Sequence, residues 1–265
     1  TVAVVTLVCG VGVAAMLYWE QKTEVGSMVA QNEVVQGGTR AILTLADGKV
    51  VDLEKTKGGI VEKQSATNIF NQGGNLVYKD SLVQAVEKAV FNKVTVPRGG
   101  EFKLTLSDGT VVHLNSETVL SYPVRFAGDT REVELHGEAY FEVAADPDRL
   151  FVVEGGGVVV KVHGTVFNMK AREKQDHVDV SLLSGLVVVE NHGVSRSLNP
   201  GETAVCKKSV PSIEKKTTDV SISCLWAKES LRFEKKTIYE LTGYLSEWYG
   251  MDIRLDPSLP TDQAY

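Results

Sequence analysis

Leu43-Thr-Leu-Ala-Asp-Gly-Lys-Val-Val-Asp-Leu53 returns 61 residues later as Leu104-Thr-Leu-Ser-Asp-Gly-Thr-Val-Val-His-Leu114, with eight of eleven positions identical. An Asp-Gly pair between two apolar runs signals a β-hairpin. A two-residue loop would mix apolar and polar side chains on both faces. A three-residue loop, Ser107-Asp108-Gly109, separates them. Leu106 then faces Thr110, Leu104 faces Val112 and Phe102 faces Leu114, while Lys103, Thr105 and His113 share the other face. Gly109 takes the left-handed position of a bulged turn, where the lack of a Cβ makes that backbone inexpensive. The first copy predicts the same register: Ala41, Leu43, Leu45, Val51 and Leu53 inward, Thr44 and Asp52 outward, with Gly48 at the turn.

Composition bounds the rest. A chain of 265 residues can bury a sizeable core and hold more than one domain. Its net charge of -6 argues against a nucleic-acid partner, which needs a basic face. Abundant Gly and recurrent Val and Thr point to a mainly β chain.

Thr1 to Trp19 carries no charge. At ~1.5 Å per residue such a helix spans roughly 28 Å, close to a bilayer core. Tyr18 and Trp19 sit where interfacial aromatics belong, and Glu20 follows. The rival reading is a secretory signal peptide, whose apolar region is shorter and needs a basic flank. The length favours one transmembrane helix over 1–19, with the chain beginning inside a longer protein and its body outside the cytoplasm. A polar tether over 20–38 follows. Cys9 falls in the anchor; Cys206 and Cys224 lie further on, and an oxidising compartment would allow them to pair.

Residues 39–92 read as a hairpin and loop region. Leu82, Val83, Val86, Ala89 and Val90 have helical spacing after Asp80, which allows a short helix or a loop. Residues 93–220 show short strands with turn signals, as in an elongated two-layer β-sandwich or a β-helix-like domain. Residues 221–265 change character. Ser230 to Glu234 reads as a strand, and Thr237-Ile-Tyr-Glu240 as a capping box. Ile238, Leu241, Leu245 and Trp248 form an apolar stripe, and Met251 to Leu255 reads as a second strand. That is the start of a small βαβ domain, incomplete at this length.

The ordered block Thr95-Val-Pro-Arg-Gly-Gly100, Leu104 to Gly109, Leu114-Asn115, Tyr122-Pro123, Glu134-Leu-His-Gly-Glu-Ala-Tyr-Phe-Glu-Val143, Gly164-Thr-Val-Phe-Asn168 and Leu198-Asn-Pro-Gly-Glu202 resembles the FecR family of membrane-bound anti-sigma factors. The preceding Leu-Ala-Asp-Gly hairpin resembles its Bacteroidetes branch, whose C-terminal domain is similar to the short secretin/TonB N-terminal domain. The resemblance implies a single-pass inner-membrane protein with its body in the periplasm. It also implies a relay in which the periplasmic extension of a TonB-dependent outer-membrane transporter touches this protein. An extracytoplasmic-function sigma factor, bound through a cytoplasmic segment absent from this sequence, is the downstream partner. The resemblance further implies a glycan or an iron chelate as the inducing substrate.

Read residue by residue, the block is a scaffold. Gly99, Gly100, Gly137 and Gly201 punctuate strands, and Asn115 can cap a turn. Glu134, Glu138 and Glu142 read as solvated, outward carboxylates, with Glu138 or Glu142 able to pair with Arg125 or Arg131 at little gain. Histidines 113, 136, 163, 177 and 192 show no metal-ligand spacing. No nucleophile elbow or phosphate loop is present. The expectation is therefore no enzyme, no catalytic residue, no cofactor and no metal. The competing reading is a membrane-tethered carbohydrate-binding β module that stacks sugars on Tyr78, Tyr122, Tyr140 or Trp226. For the relay, Arg232, Glu234 and Arg254 are the candidate partner-binding residues of the C-terminal piece.

Overall fold

The computed structural model describes residues 38–56, 58–64, 67–80, 89–218, 220, 224–227, 237–249 and 253–256. They belong to one compact unit, Val35–Tyr265. The expected anchor over 1–19, the tether up to residue 37, the helical spacing from Leu82 to Glu87, and the strand Ser230 to Glu234 lie outside the described residues. Among the described residues no helix is long and apolar enough to cross a membrane.

Nineteen strands form one hydrogen-bonded network. In chain order they are β1 (Gly38–Thr39), β2 (Ile42–Thr44), β3 (Val50–Asp52), β4 (Gly59–Gln64), β5 (Thr67–Gln72), β6 (Asn75–Asp80), β7 (Phe91–Val96), β8 (Gly100–Thr105), β9 (Val111–Leu114) and β10 (Thr118–Pro123). There follow β11 (Thr130–Glu142), β12 (Leu150–Gly155), β13 (Val158–Val162), β14 (Val166–Ala171), β15 (His177–Ser184), β16 (Val187–Asn191), β17 (Val194–Leu198), β18 (Glu202–Lys207) and β19 (Ile213–Thr217). A 3₁₀ turn, Leu225–Ala227, and the helix α1, Ile238–Tyr249, complete the described elements.

The pairings resolve into two layers. One runs β3-β2-β7-β10-β11-β12-β13-β16-β17. The other runs β4-β5-β6-β8-β9-β11-β14-β15-β18-β19. Strand β11 belongs to both. Its first half pairs with β10 and β12, and its second half, from Gly137 on, pairs with β9 and β14. The crossing point is Gly137, at φ +115, where an added Cβ would lie 2.7 Å from Thr118 Cα. A strand that changes sheets needs such a bend, and only glycine fits this one. Pairing is mostly antiparallel, and because β11 joins the two runs the described strands form one nearly closed, barrel-like sheet.

Alternation supplies the core. In β7, Asn92, Val94 and Val96 turn in; in β9, Val112 and Leu114; in β15, Val178, Val180 and Leu182. One apolar cluster extends from Ala41 to Cys206. The layers meet through Tyr78 and Tyr122, edge to face at 5.5 Å, and through Phe141 and Phe151 at 6.2 Å. Each fully buried large side chain contributes about 1.5–3 kcal/mol.

Both copies of the opening motif fold as expected. Leu43 pairs with Val51 and Leu104 with Val112, and Phe102 pairs with Leu114. The loops close with Leu45 N to Lys49 O and Leu106 N to Thr110 O, each 2.9 Å. Gly48 and Gly109 sit at φ +85 and +86.

The region expected to continue as loop instead carries the meander β4-β5-β6, which extends the second layer beside β8. Gly73 and Gly74, both left-handed, make its tight turn. Asn71 occupies an inward position, donating to Leu53 O at 3.0 Å and Thr56 O at 2.6 Å. That inward amide ties the meander to the first hairpin and also breaks the apolar alternation that would have advertised the strand. The hairpin, the meander and the motif block thus share one core. The capping box forms: Glu240 N donates to Thr237 Oγ1 at 3.3 Å and Thr237 N to Glu240 Oε2 at 2.8 Å. Of the expected strand Met251 to Leu255, the described residues Ile253 to Leu255 form none.

Candidate functional site

Two buried polar networks anchor the motif block. The sequence reading places Glu138 and Arg131 on the surface. Arg131 is fully buried. Its Nη1 donates to Asp108 Oδ2 at 2.8 Å and to Ala144 O at 2.9 Å, and its Nη2 donates to Arg149 O at 2.9 Å. The guanidinium lies 5.4 Å over the Phe151 ring. Asp108 also accepts from Thr110 N and Thr110 Oγ1. A buried charge survives only when paired and fully hydrogen-bonded, and this one is. The Asp of the second Asp-Gly turn is therefore an internal counter-ion that ties the hairpin loop to β11.

Glu138, expected in solvent, is 5% exposed. Asn115 and Asn168 donate to its two oxygens at 3.1 and 3.0 Å, and Arg172 Nη2 donates to Oε2 at 3.2 Å. Thr118 Oγ1 links to the Glu138 backbone on both sides. Asn115 caps its turn by accepting from Ser116 N at 2.7 Å. Arg125 and Arg131 are not the partners of Glu138; Glu142 faces His113 at 3.5 Å instead.

Glu138 opens a polar row on the outer face of the second layer. Tyr140 pairs with Asn168, Asn168 with Ser181, and Ser181 with Thr203. All are buried although they point away from the core. Residues after β19 cover them: Thr218 Oγ1 lies 2.8 Å from Thr203 Oγ1, and Cys224 lies close enough to Tyr140 to act on its phenol. Burial first, then Glu142 and Cys224, pushes the Tyr140 pKa up to about 12. Thr218 and Cys224 thus meet a polar face of the second layer, in contrast to the apolar interface between the layers.

Cys206 belongs to the inner core cluster, and Cys224 to the covering segment, on the opposite face of the sheet. Both thiols are buried, and no disulfide joins them. Burial, then Asp179, lifts the Cys206 thiol to about 12.

Tyr78, Tyr122 and Tyr140 are buried, so none offers a face to a sugar. Tyr78 and Tyr122 share a hydrogen bond of 2.9 Å. Among the described residues no group of three or more His, Cys, Asp and Glu is placed to hold a metal ion. Of the expected turn glycines, Gly48, Gly99, Gly109, Gly137 and Gly201 are left-handed. Gly100 has ordinary φ, but an added Cβ would crowd Arg40 O and Pro97 O at 3.1 Å each. Of the partner-binding candidates, Arg254 is exposed beyond α1, while Arg232 and Glu234 lie outside the described residues.

The buried ionisable groups of the motif block, Asp108, Arg131 and Glu138, are spent on architecture. The profile of the FecR protein family matches residues 92–188. Two crystal structures of an anti-sigma factor candidate from Parabacteroides distasonis ATCC 8503 are similar to the chain. One is 35% identical, with a TM-score of 0.55, over 65% of this chain and 82% of that one. The other is 34% identical, with a TM-score of 0.56, over 66% of this chain and 82% of that one. The comparison with curated proteins found no match. The chain belongs to the FecR family of anti-sigma factors.

Proposed function

We propose that this chain relays a signal from a TonB-dependent outer-membrane transporter to an extracytoplasmic-function sigma factor, with the β body in the periplasm and Thr1 to Trp19 crossing the inner membrane. The observation that carries the regulatory reading is the 35% identity to the Parabacteroides protein over 65% of the chain. The charge-free run from Thr1 to Trp19 supports the anchor. On this reading a transporter extension docks on the C-terminal piece by strand addition. Arg232, Glu234 and Arg254 would face that extension.

The test is a promoter reporter driven by the sigma factor in the native host. Deleting the gene for this chain should uncouple the reporter from the transporter's substrate. A reporter that still responds in full contradicts the relay. Pull-down with the transporter's periplasmic extension locates the contact: truncation before Leu225 should abolish capture, and unchanged capture overturns the C-terminal assignment.

A further inference from the structure

Apart from the two-residue β1, four strands pair on one side only among the described residues: β3, β4, β17 and β19. An open strand edge is a row of unpaired amides and carbonyls that another strand can join. The surrounding residues make these edges attractive. Beside β17, β16 begins Val187-Val-Val189, and Val50 on β3 and Ile60 on β4 are each 63% exposed.

Charged side chains bar these edges. At β17 the two-residue turn His192-Gly193, left-handed at φ 47 and 81, sets the phase of the hydrogen bonds. Such a turn makes Asn191 and Val194 a bonded pair, and bonded pairs recur at every second residue. Ser195 and Ser197 therefore aim their backbone groups at the open side. Both carbonyls are already taken. Arg196 Nη1 donates to Ser195 O at 2.9 Å, and Lys215 Nζ reaches from β19 to Ser197 O at 3.3 Å. Arg196 stands opposite Val189 and Lys215 opposite Ala204, both core residues. The two cations thus occupy the core-side faces of edge strands, where alternation calls for apolar residues. Glu202 holds Lys215 at 3.0 Å.

The β3 and β4 edges repeat the device. Glu62 stands opposite Ile69, a core residue, and pairs with Lys49 from the turn before β3. That ion pair links the two edges. β3 is only three residues long, and β4 carries a bulge between Ile60 and Glu62, which breaks a regular ladder.

We infer that Arg196, Lys215, Lys49 and Glu62 are guards that keep a second copy of this chain from adding a strand to the β body. A strand laid on β17 must displace both cations from Ser195 O and Ser197 O and enclose them beside apolar neighbours. A charge enclosed without partners is costly, so the pairing is refused. Apolar residues in their place would complete the alternation and open the edges.

The test sizes the full chain in detergent by sedimentation over a range of concentrations, beside three double variants. Arg196→Val with Lys215→Val opens the β17 and β19 edges. Lys49→Val with Glu62→Val opens those of β3 and β4. Ser195→Val with Lys216→Val places the same apolar side chains on the outward faces of β17 and β19. The parent should stay monomeric. Each of the first two variants should self-associate about tenfold more tightly or better, and the outward-facing control should behave as the parent. Hydrogen exchange locates the contact: the Ser195 and Ser197 amides should exchange freely in the parent and slow with rising concentration in the first variant. The two edge variants change separate ends of the body, so either one decides if the other fails to fold. Folded variants that stay monomeric overturn the inference. So does a control that associates equally, protection confined to other strands, or a parent already paired through these edges. A failed reporter response leaves this test intact, because the edges belong to the body and not to the C-terminal piece.

Discussion

The two Asp-Gly hairpins are nearly the same sequence and do different jobs. Both close a three-residue loop with glycine at φ +85 or +86. In both, the aspartate accepts the same local bond, Lys49 N to Asp47 Oδ1 at 2.9 Å and Thr110 N to Asp108 Oδ1 at 3.0 Å. There the likeness ends. Asp47 is exposed, whereas the Asp108 side chain is 5% exposed and holds the buried Arg131. The tenth position diverges too. Asp52 pairs with Lys55 at 3.0 Å in solvent, while His113 packs edge-on against Tyr140 at 5.7 Å and faces Glu142. Local sequence sets the shape of the turn; what lies across the core decides whether its charged tip is spent on solvent or on architecture.

That contrast can be broken experimentally. The largest effect should come from Arg131→Ala, which strands Asp108 and the carbonyl oxygens of Ala144 and Arg149. Urea unfolding should show a loss of about 3–5 kcal/mol. A loss under ~1 kcal/mol would mean that the network relaxes or takes up water. Next, Gly48→Ala and Gly109→Ala should each cost about 1–2 kcal/mol, because the left-handed penalty is local. Neither added Cβ meets anything within 4 Å, so the two losses should agree. A clear inequality would show that the loops are not equivalent. The smallest effect is pH dependence. Burial, then Lys103, holds the His113 pKa below its ordinary 6.5. The unfolded chain therefore binds that proton first. His113 contributes stability fully above 6.5, lost as pH falls toward the folded value. His113→Gln should flatten that slope; an unchanged slope would assign it to other groups. Asp52 of the first copy is held below its ordinary 3.8 and cannot act near neutral pH.

The same contrast explains how much of the molecule is legible in its sequence. The registers of both hairpins follow from eleven residues each, because turn chemistry and alternation are local. The capping box of α1 follows from four. The meander β4-β5-β6 does not, although Gly73-Gly74 marked its turn. Its inward Asn71 is satisfied by Leu53 O and Thr56 O, 18 and 15 residues away, and no local pattern reports such a partner. Glu138 and Arg131 were misplaced for the same reason. Alternation points Glu138 away from the core, but Asn115, Asn168 and Arg172 enclose it there. Arg131 stands on the inward side of β11, in line with Val133 and Leu135, and that placement was the available signal. An arginine in an apolar register demands a carboxylate, and Asp108 was the polar tip of a hairpin already placed.

The most direct test of the account is a paired urea titration of Asp47→Asn and Asp108→Asn. Each swap keeps the oxygen that accepts the turn's amide; it removes the charge and replaces the second oxygen, which at Asp108 accepts from Arg131 and Thr110 Oγ1, with an NH2 donor. The account predicts a change within ~0.5 kcal/mol at Asp47 and a loss of about 3 kcal/mol at Asp108, where the Arg131 charge is left buried without its counter-ion. Equal losses at the two positions would contradict it.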